Sequence, residues 1–313
     1  MIAGRTTLIR DSIRIFFVVF VLVLMFLPLT IESLWVREAL NVGHTIFFFL
    51  LSFHAYHHLK KQTNISKTYL IVVVVFTVGV LFGILIEVLQ ISLQREASVV
   101  DLYRDVVGIF AGLCLVASGE AKKIHKHVYR FLSLSIAVAL LLLALTPLIQ
   151  LSVHYIQRNN AFPLLVDLGA GWSDSFIDYN QAELLCGLDQ YKNEGLHEVL
   201  FAPGRFSGVS VREPVANWST YRHLKFSVVS SAEVDVVLVI RIHDKQHNQE
   251  YSDRFNQALV VRPGINDYSL TLGSIREGPI ARKLDLSQIA GIILFLSQQS
   301  LPVKLSIGNL YLE

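Results

Sequence analysis

The sequence predicts an α-helical membrane bundle of about five transmembrane helices followed by an all-β jelly-roll sandwich. Three observations carry that expectation. Hydrophobic residues make up 53% of the 313-residue chain and charged residues only 17%, against roughly 45–50% and 25% in soluble domains. Long uncharged runs are confined to the first half, and from Phe162 onward the hydrophobic period changes from helical to alternating. The implied partner is the lipid bilayer, because a formal charge of +2 is too small to indicate nucleic acid. Cys114 sits in an apolar run and Cys186 in the polar half, so the two do not suggest a bridge.

The elements follow in order. Residues 15–34 open with the charge-free run IFFVVFVLVLMFLPLTI and approach the roughly 20 residues that cross about 30 Å of hydrocarbon. No small-x-small site follows Pro28, so this reads as a retained helix rather than a cleaved signal. Residues 42–59 hold four histidines but no Asp, Glu, Lys or Arg, and 69–94 continue an uncharged run through Glu87. Residues 99–119 form a fourth span despite Asp101, Arg104 and Asp105 in its first turns. The fifth, 131–153, is interrupted only by Pro147, which a membrane helix tolerates when neighbours satisfy the freed carbonyl.

These spans define a membrane domain over 1–155 and leave a second domain over 160–313. Ten Lys and Arg, from Arg5 to Arg130, fall in loops on one side, and only Arg37 and Arg95 on the other. Basic loops stay cytoplasmic, so a multi-pass protein of a cell's inner membrane is expected, with its N-terminus in the cytoplasm. An odd number of spans then sends the second domain outside the cytoplasm. That domain alternates apolar and polar residues over 164–168, 197–202, 207–213, 223–230, 235–243, 257–261, 267–272, 289–297 and 303–312, separated by turns such as Pro203-Gly204 and Pro263-Gly264. Short strands without helices between them make a sandwich.

Ionisable groups within spans face a bundle interior or a wet cavity. Gly79, Gly83, Glu87, Gln90 and Gln94 share one face of the third span, and Asp101, Asp105, Gly108 and Gly112 one face of the fourth. With His44 near the start of the second, the spacing brings His44, Glu87, Gln90, Asp101 and Asp105 to similar depth, and the connector adds Arg95 and Ser98. Glu87, His44 and Asp101 are the catalytic candidates, because a carboxylate beside an imidazole can move protons. Gln90, Arg95, Ser98, Arg104 and Asp105 are the ligand-binding candidates. A structural network that fixes helix packing uses the same residue types, and Ser98 suits an N-cap. The spacing is not that of a zinc motif, so no metal is expected, nor is any cofactor.

At these residues the chain resembles the VanZ-like family of integral membrane proteins. The resemblance covers about Asn41 to Gly119 and is carried by His44, Gly83, Glu87, Gln90, Arg95, Ser98, Asp101, Gly108 and Gly112. Asp105 stands where the family usually has Asn, and Asn41 and Thr45 where Lys and Phe are common. The resemblance implies an envelope protein; members are associated with glycopeptide-antibiotic tolerance, without a settled reaction.

In the second half, strand alternation ends in a dense polar stretch holding Asp244, His247, Tyr251, Asp253, Arg254 and Asn256. With Trp218 and Tyr221 ahead of one strand and Arg282, Leu284 and Leu286 ahead of another, the order of features is similar to galactose-binding-like jelly rolls, including some carbohydrate-binding modules. That resemblance implies a cell-wall glycan or glycolipid as partner. Trp218 would stack on sugar rings and the polar loop would hold hydroxyls. The competing reading is a membrane-anchored scaffold in which these residues are core packing and loop ion pairs, and the sandwich binds proteins. Transport is disfavoured, since the polar cluster lacks the paired broken helices of inverted repeats.

Overall fold

The computed structural model describes residues 33–63, 68–92, 99–120, 126–185 and 195–313. Most of the expected first span, together with Arg95 and Ser98, lies outside the described residues. The chain divides into two compact units, with the boundary between Gln150 and Leu151.

The first unit contains α1 (Leu34–Gln62), α2 (Thr68–Ser92), α3 (Val99–Glu120) and the start of α4 (Lys126–Ala161). Helix α1 begins eight residues ahead of the uncharged run because Ser33 caps it, its hydroxyl accepting from the Val36 amide. It ends at Thr63, whose amide returns to the Leu59 carbonyl, with Lys60 and Lys61 in a last turn that favours cations. A charge-free window thus marks the apolar stretch and misses the capped end, which carries Arg37 and Glu38. Three described helices are long and apolar enough to cross a membrane: α1, α2 and α4. Helix α3, expected as a further span, is not one of them and carries Asp101, Arg104 and Asp105 in its first turns.

Helix α3 is held closely by α1. Side chains added at Gly108 and Gly112 would strike the Thr45 and Phe49 carbonyls and the Ser52 hydroxyl, so these two glycines set how near the helices come. Phe47, Phe48, Tyr56, Ile71, Ile86, Ile109 and Leu113 fill the space between α1, α2 and α3. By contrast Val73, Val78, Leu81 and Leu85 on α2 are exposed, as are Phe131, Leu132, Leu142 and Leu143 on α4.

The second unit is a two-sheet sandwich. Its strands are β1 (Leu164–Val166), β2 (Ile177–Asn180), β3 (Ala182–Leu184), β4 (His197–Phe201), β5 (Gly204–Arg212), β6 (His223–Ser230), β7 (Val236–Asp244), β8 (Phe255–Val261), β9 (Gly264–Thr271), β10 (Ile289–Gln299), β11 (Val303–Ile307) and β12 (Leu310–Leu312). One sheet runs β1-β12-β6-β11-β4-β3, with β9 on the other edge of β6; the second runs β2-β5-β10-β7-β8, and every pairing is antiparallel. Trp218, Phe201, Phe226, Leu238, Ile240 and Ile292 lie fully buried in its core.

Four details differ from the sequence reading. The expected strand 303–312 is two strands end to end along one edge of β6, parted where the Gly308 amide bonds to the Ser227 carbonyl. β2 and β3 were not expected, because each is short and polar; the chain passes from one sheet to the other between them at Gln181, whose φ is 49°. A one-turn helix, α5 (Leu272–Arg276), is capped by the Thr271 hydroxyl. Helix α4 runs on to Ala161, and its last turns belong to the sandwich: Tyr155 donates to the Glu213 carboxylate, Arg158 to the Glu213 carbonyl, and the Arg158 guanidinium lies 4.8 Å from the Phe176 ring centre.

Candidate functional site

Two groups of polar residues stand out, one in each unit. In the first, His44 on α1 and Asp105 on α3 share a hydrogen bond of 3.0 Å, and Asp105 is completely buried. The imidazole Nδ1 and the carboxyl share one proton across this bond. The second Asp105 oxygen has no partner among the described residues and faces Gly83 of α2, where an added Cβ would lie 2.9 Å from it. Gly83 is therefore the room that the carboxylate needs. Immediately before Asp105, Arg104 bridges Asp101 at 2.8 Å and Glu38 at 2.9 Å, and Glu38 accepts from Asn41 at 3.0 Å. Thr45 donates to the Arg104 carbonyl at 3.2 Å.

Glu87 and Gln90 are buried on α2, as the spacing indicates. The acid-base pair, however, is not the expected His44 with Glu87: the imidazole meets Asp105. Asp101, expected as catalytic, is tied to Arg104. Glu38 was missed, although it stands three residues before Asn41 on the same face of α1.

In the sandwich, the outward face of the five-stranded sheet gathers the second group. Along β7 the even-numbered positions from Val236 to Asp244 are buried and the odd ones point away from the core. Register then sets rows across the sheet. One row runs His243, Gly291 and Arg212 over β7, β10 and β5, and Arg254 leads into β8 beside it. The next runs Asn256, Arg241, Ile293, Ser210 and Asp178. A third carries Val239 and Phe295, whose ring lies edge-on to Phe206 at 5.8 Å. Gly291 has no side chain where the His243 imidazole lies: a Cβ there would come within 3.0 Å of Nε2.

Behind this face is a clasp. Arg282 grips Asp244 with two bonds of 2.6 and 2.7 Å and reaches Asp253 at 2.5 Å. Asp244 also accepts from the Asp285 and Gln246 amides, and Asp253 from the Asn248 amide. Burial pushes the Asp244 carboxyl up, but Arg282 and the two amides outweigh it and hold it below the usual range. Hydrogen bonding to Arg282, then to Asn248, brings Asp253 down to about 2. His247 links clasp to face. Its Nδ1 donates to the Asp253 carbonyl at 2.9 Å, which leaves Nε2 to accept from Arg241 at 2.9 Å.

The expected glycan-binding residues therefore separate. Tyr251, Arg254 and Asn256 belong to the outward group, with the Arg254 guanidinium 5.2 Å from the exposed Tyr251 ring. Asp244 and Asp253 are held in the clasp by Arg282, and His247 bonds to Asp253 on one side and Arg241 on the other. Trp218 is a correction: it is 0% exposed and its Nε1 donates to the Val215 carbonyl, so it offers no face to a sugar. Arg212, Arg241, His243 and Phe206 were missed, although alternation along β7 already puts Arg241 and His243 on the outer side.

No protein-family model and no curated protein matches the chain. Among solved structures, the sandwich is similar to carbohydrate-binding modules. The family 11 module from Clostridium thermocellum in complex with a β-1,3-1,4-mixed-linked tetrasaccharide has 16% identity and a TM-score of 0.37, over 48% of this chain and 93% of that one. The family 30 module of a Clostridium thermocellum cellulosomal cellulase has 14% identity and a TM-score of 0.32, over 42% and 82%. An exo-β-agarase has 17% identity and a TM-score of 0.39, over 48% of this chain and 24% of that one.

Proposed function

We propose that the protein is a multi-pass membrane protein of the cell envelope whose extracytoplasmic sandwich binds a glycan on the outward face of its five-stranded sheet. One observation carries the binding site. On that face Arg241 Nε, His243 Nδ1, Arg254 Nε and Asn256 Oδ1 are buried without a hydrogen-bond partner among the described residues. Buried polar atoms in folded proteins find partners, so four left over on one face mark where side-chain adjustment around a ligand would gain hydrogen bonds. Sugar hydroxyls supply both, and the exposed rings of Tyr251 and Phe206 add apolar surface for stacking.

The membrane reading is supported by the exposed apolar sides of α2 and α4, which a soluble protein would cover. The basic loops support a cytoplasmic N-terminus. In the helical unit, the buried His44–Asp105 pair with its unpartnered oxygen supports the polar site expected there, and the VanZ-like resemblance supports a role in the envelope. The test is an oligosaccharide array probed with the full chain in lipid nanodiscs. Binding that is lost on Asn256→Ala and kept on Ser300→Ala, a substitution on an exposed turn, is the expected result. A wild-type protein that ignores every sugar while retaining protein partners would return the sandwich to a scaffold.

A further inference from the structure

We infer that the outward face of the five-stranded sheet takes an anionic saccharide, whose carboxylate or phosphate groups are held by Arg241 and Arg254. This rests on the sugar-binding reading above and names its substrate class. Three arginines, Arg212, Arg241 and Arg254, stand on the face or at its margin, a fourth, Arg205, lies 5.4 Å from the Phe206 ring centre, and among the described residues the carboxylate in these rows is Asp178. Asp178 belongs to Arg212, which it meets at 2.6 and 2.7 Å. The two aspartates nearest in sequence, Asp244 and Asp253, are both taken by Arg282 behind the sheet.

Arg241 and Arg254 are thus left without a carboxylate within ion-pair distance among the described residues. Arg241 is bonded to a histidine nitrogen, and Arg254 lies over an aromatic ring. Both are half-buried. Arg254 stands two residues before Asn256, the cross-strand partner of Arg241, so the two are diagonal neighbours on one face, and burial and then Arg254 push the Arg241 guanidinium below its ordinary value. A desolvated cation is costly unless paired, and two of them side by side call for an anion between. Guanidinium forks match the paired oxygens of a carboxylate or phosphate. A neutral sugar can satisfy Nε–H but leaves the repulsion in place.

The geometry also explains His247. By accepting from Arg241 while donating to the Asp253 carbonyl, it fixes the guanidinium without neutralising it. His243 adds an uncharged partner, since burial and then Arg241 bring its imidazole down to about 4. It can share a hydroxyl proton but brings no further positive charge at neutral pH.

The experiment is calorimetric titration of the full chain in nanodiscs of zwitterionic lipid with three probes: oligogalacturonate, its neutral methyl ester, and a phosphorylated oligomannose. The expected result is that an acidic probe binds at least tenfold more tightly than the ester, with the tighter acidic probe distinguishing carboxylate from phosphate. Arg241→Gln and Arg254→Gln should each weaken it by about ten- to a hundredfold, the range of one charge-assisted bond. Arg241→Lys, which keeps charge but loses the fork, should fall between. A melting curve of each variant separates lost binding from lost fold. Equal affinity for ester and acid, unmoved by the arginine variants, overturns the charge assignment and leaves sugar binding intact. No binding of any probe by folded wild type overturns both.

Discussion

Asp105 in the helical unit and Asp244 in the sandwich are both aspartates with no exposed side-chain surface, and they are treated in opposite ways. Asp244 has a guanidinium across both oxygens and two backbone amides besides. Asp105 has one imidazole, and its other oxygen is unpartnered among the described residues. Full satisfaction makes a carboxylate part of the scaffold; partial satisfaction leaves it available to a ligand or a proton. The same contrast divides the polar loop of the sandwich, where the clasp residues are saturated and the outward ones are not.

The largest expected effect is at the clasp. Asp244→Ala leaves Arg282 desolvated with only Asp253, and should destabilise the sandwich by about 3–5 kcal/mol, as for a broken buried ion pair; denaturant unfolding followed by hydrogen exchange of β7 and β10 measures it. Asp105→Ala removes fewer bonds and should cost about 1–3 kcal/mol, while Asp105→Asn, which still accepts from His44, should cost less than about 1. If Asp105→Ala matched Asp244→Ala, the contrast between them would be broken. Gly83→Ala puts a methyl group 2.9 Å from the Asp105 oxygen, and overpacking of this kind costs about 1–3 kcal/mol. Reduced thermal stability that Asp105→Ala relieves would sharpen the assignment of Gly83 as the carboxylate's space.

Further effects are in pH. The His243 imidazole titrates near 4 in the fold, lowered by burial, Arg241, His247 and Arg254 against a small opposing pull from Asp244. The unfolded chain, titrating near its ordinary 6.5, binds the extra proton between these values, so stability falls as pH drops from 6.5 to 4 and levels below. His243→Gln should flatten that limb. Asp253, lowered to about 2 from 3.8, acts in a separate window: the stability it lends is present above 3.8 and is lost as pH falls toward 2. Two limbs in acid unfolding, each removed by its own variant, are expected.

Much of this was legible in advance because it depends on period. Alternation located most strands of the sandwich within a few residues, and uncharged runs located the apolar bodies of α1, α2 and α4. The ends were not legible, since Ser33 caps α1 by a local bond that hydropathy does not register. Helical spacing put His44, Asp105, Glu87 and Gln90 on inward faces but could not choose the imidazole's partner, because two acids on two helices satisfied the same pattern. Trp218 was misread for a related reason: an aromatic beside a strand looks alike in sequence whether it stacks on a sugar or fills the core.

The sequence by itself determined that a helical, apolar first half precedes a β-rich second half, because burial patterns with periods of 3.6 and 2 are written into single segments. Only the tertiary structure decided which polar residues are saturated and which are left open. Arg282 lies 38 residues from Asp244 and His44 lies 61 from Asp105; at such separations partnership is set by how the chain folds back on itself, and no local pattern encodes it.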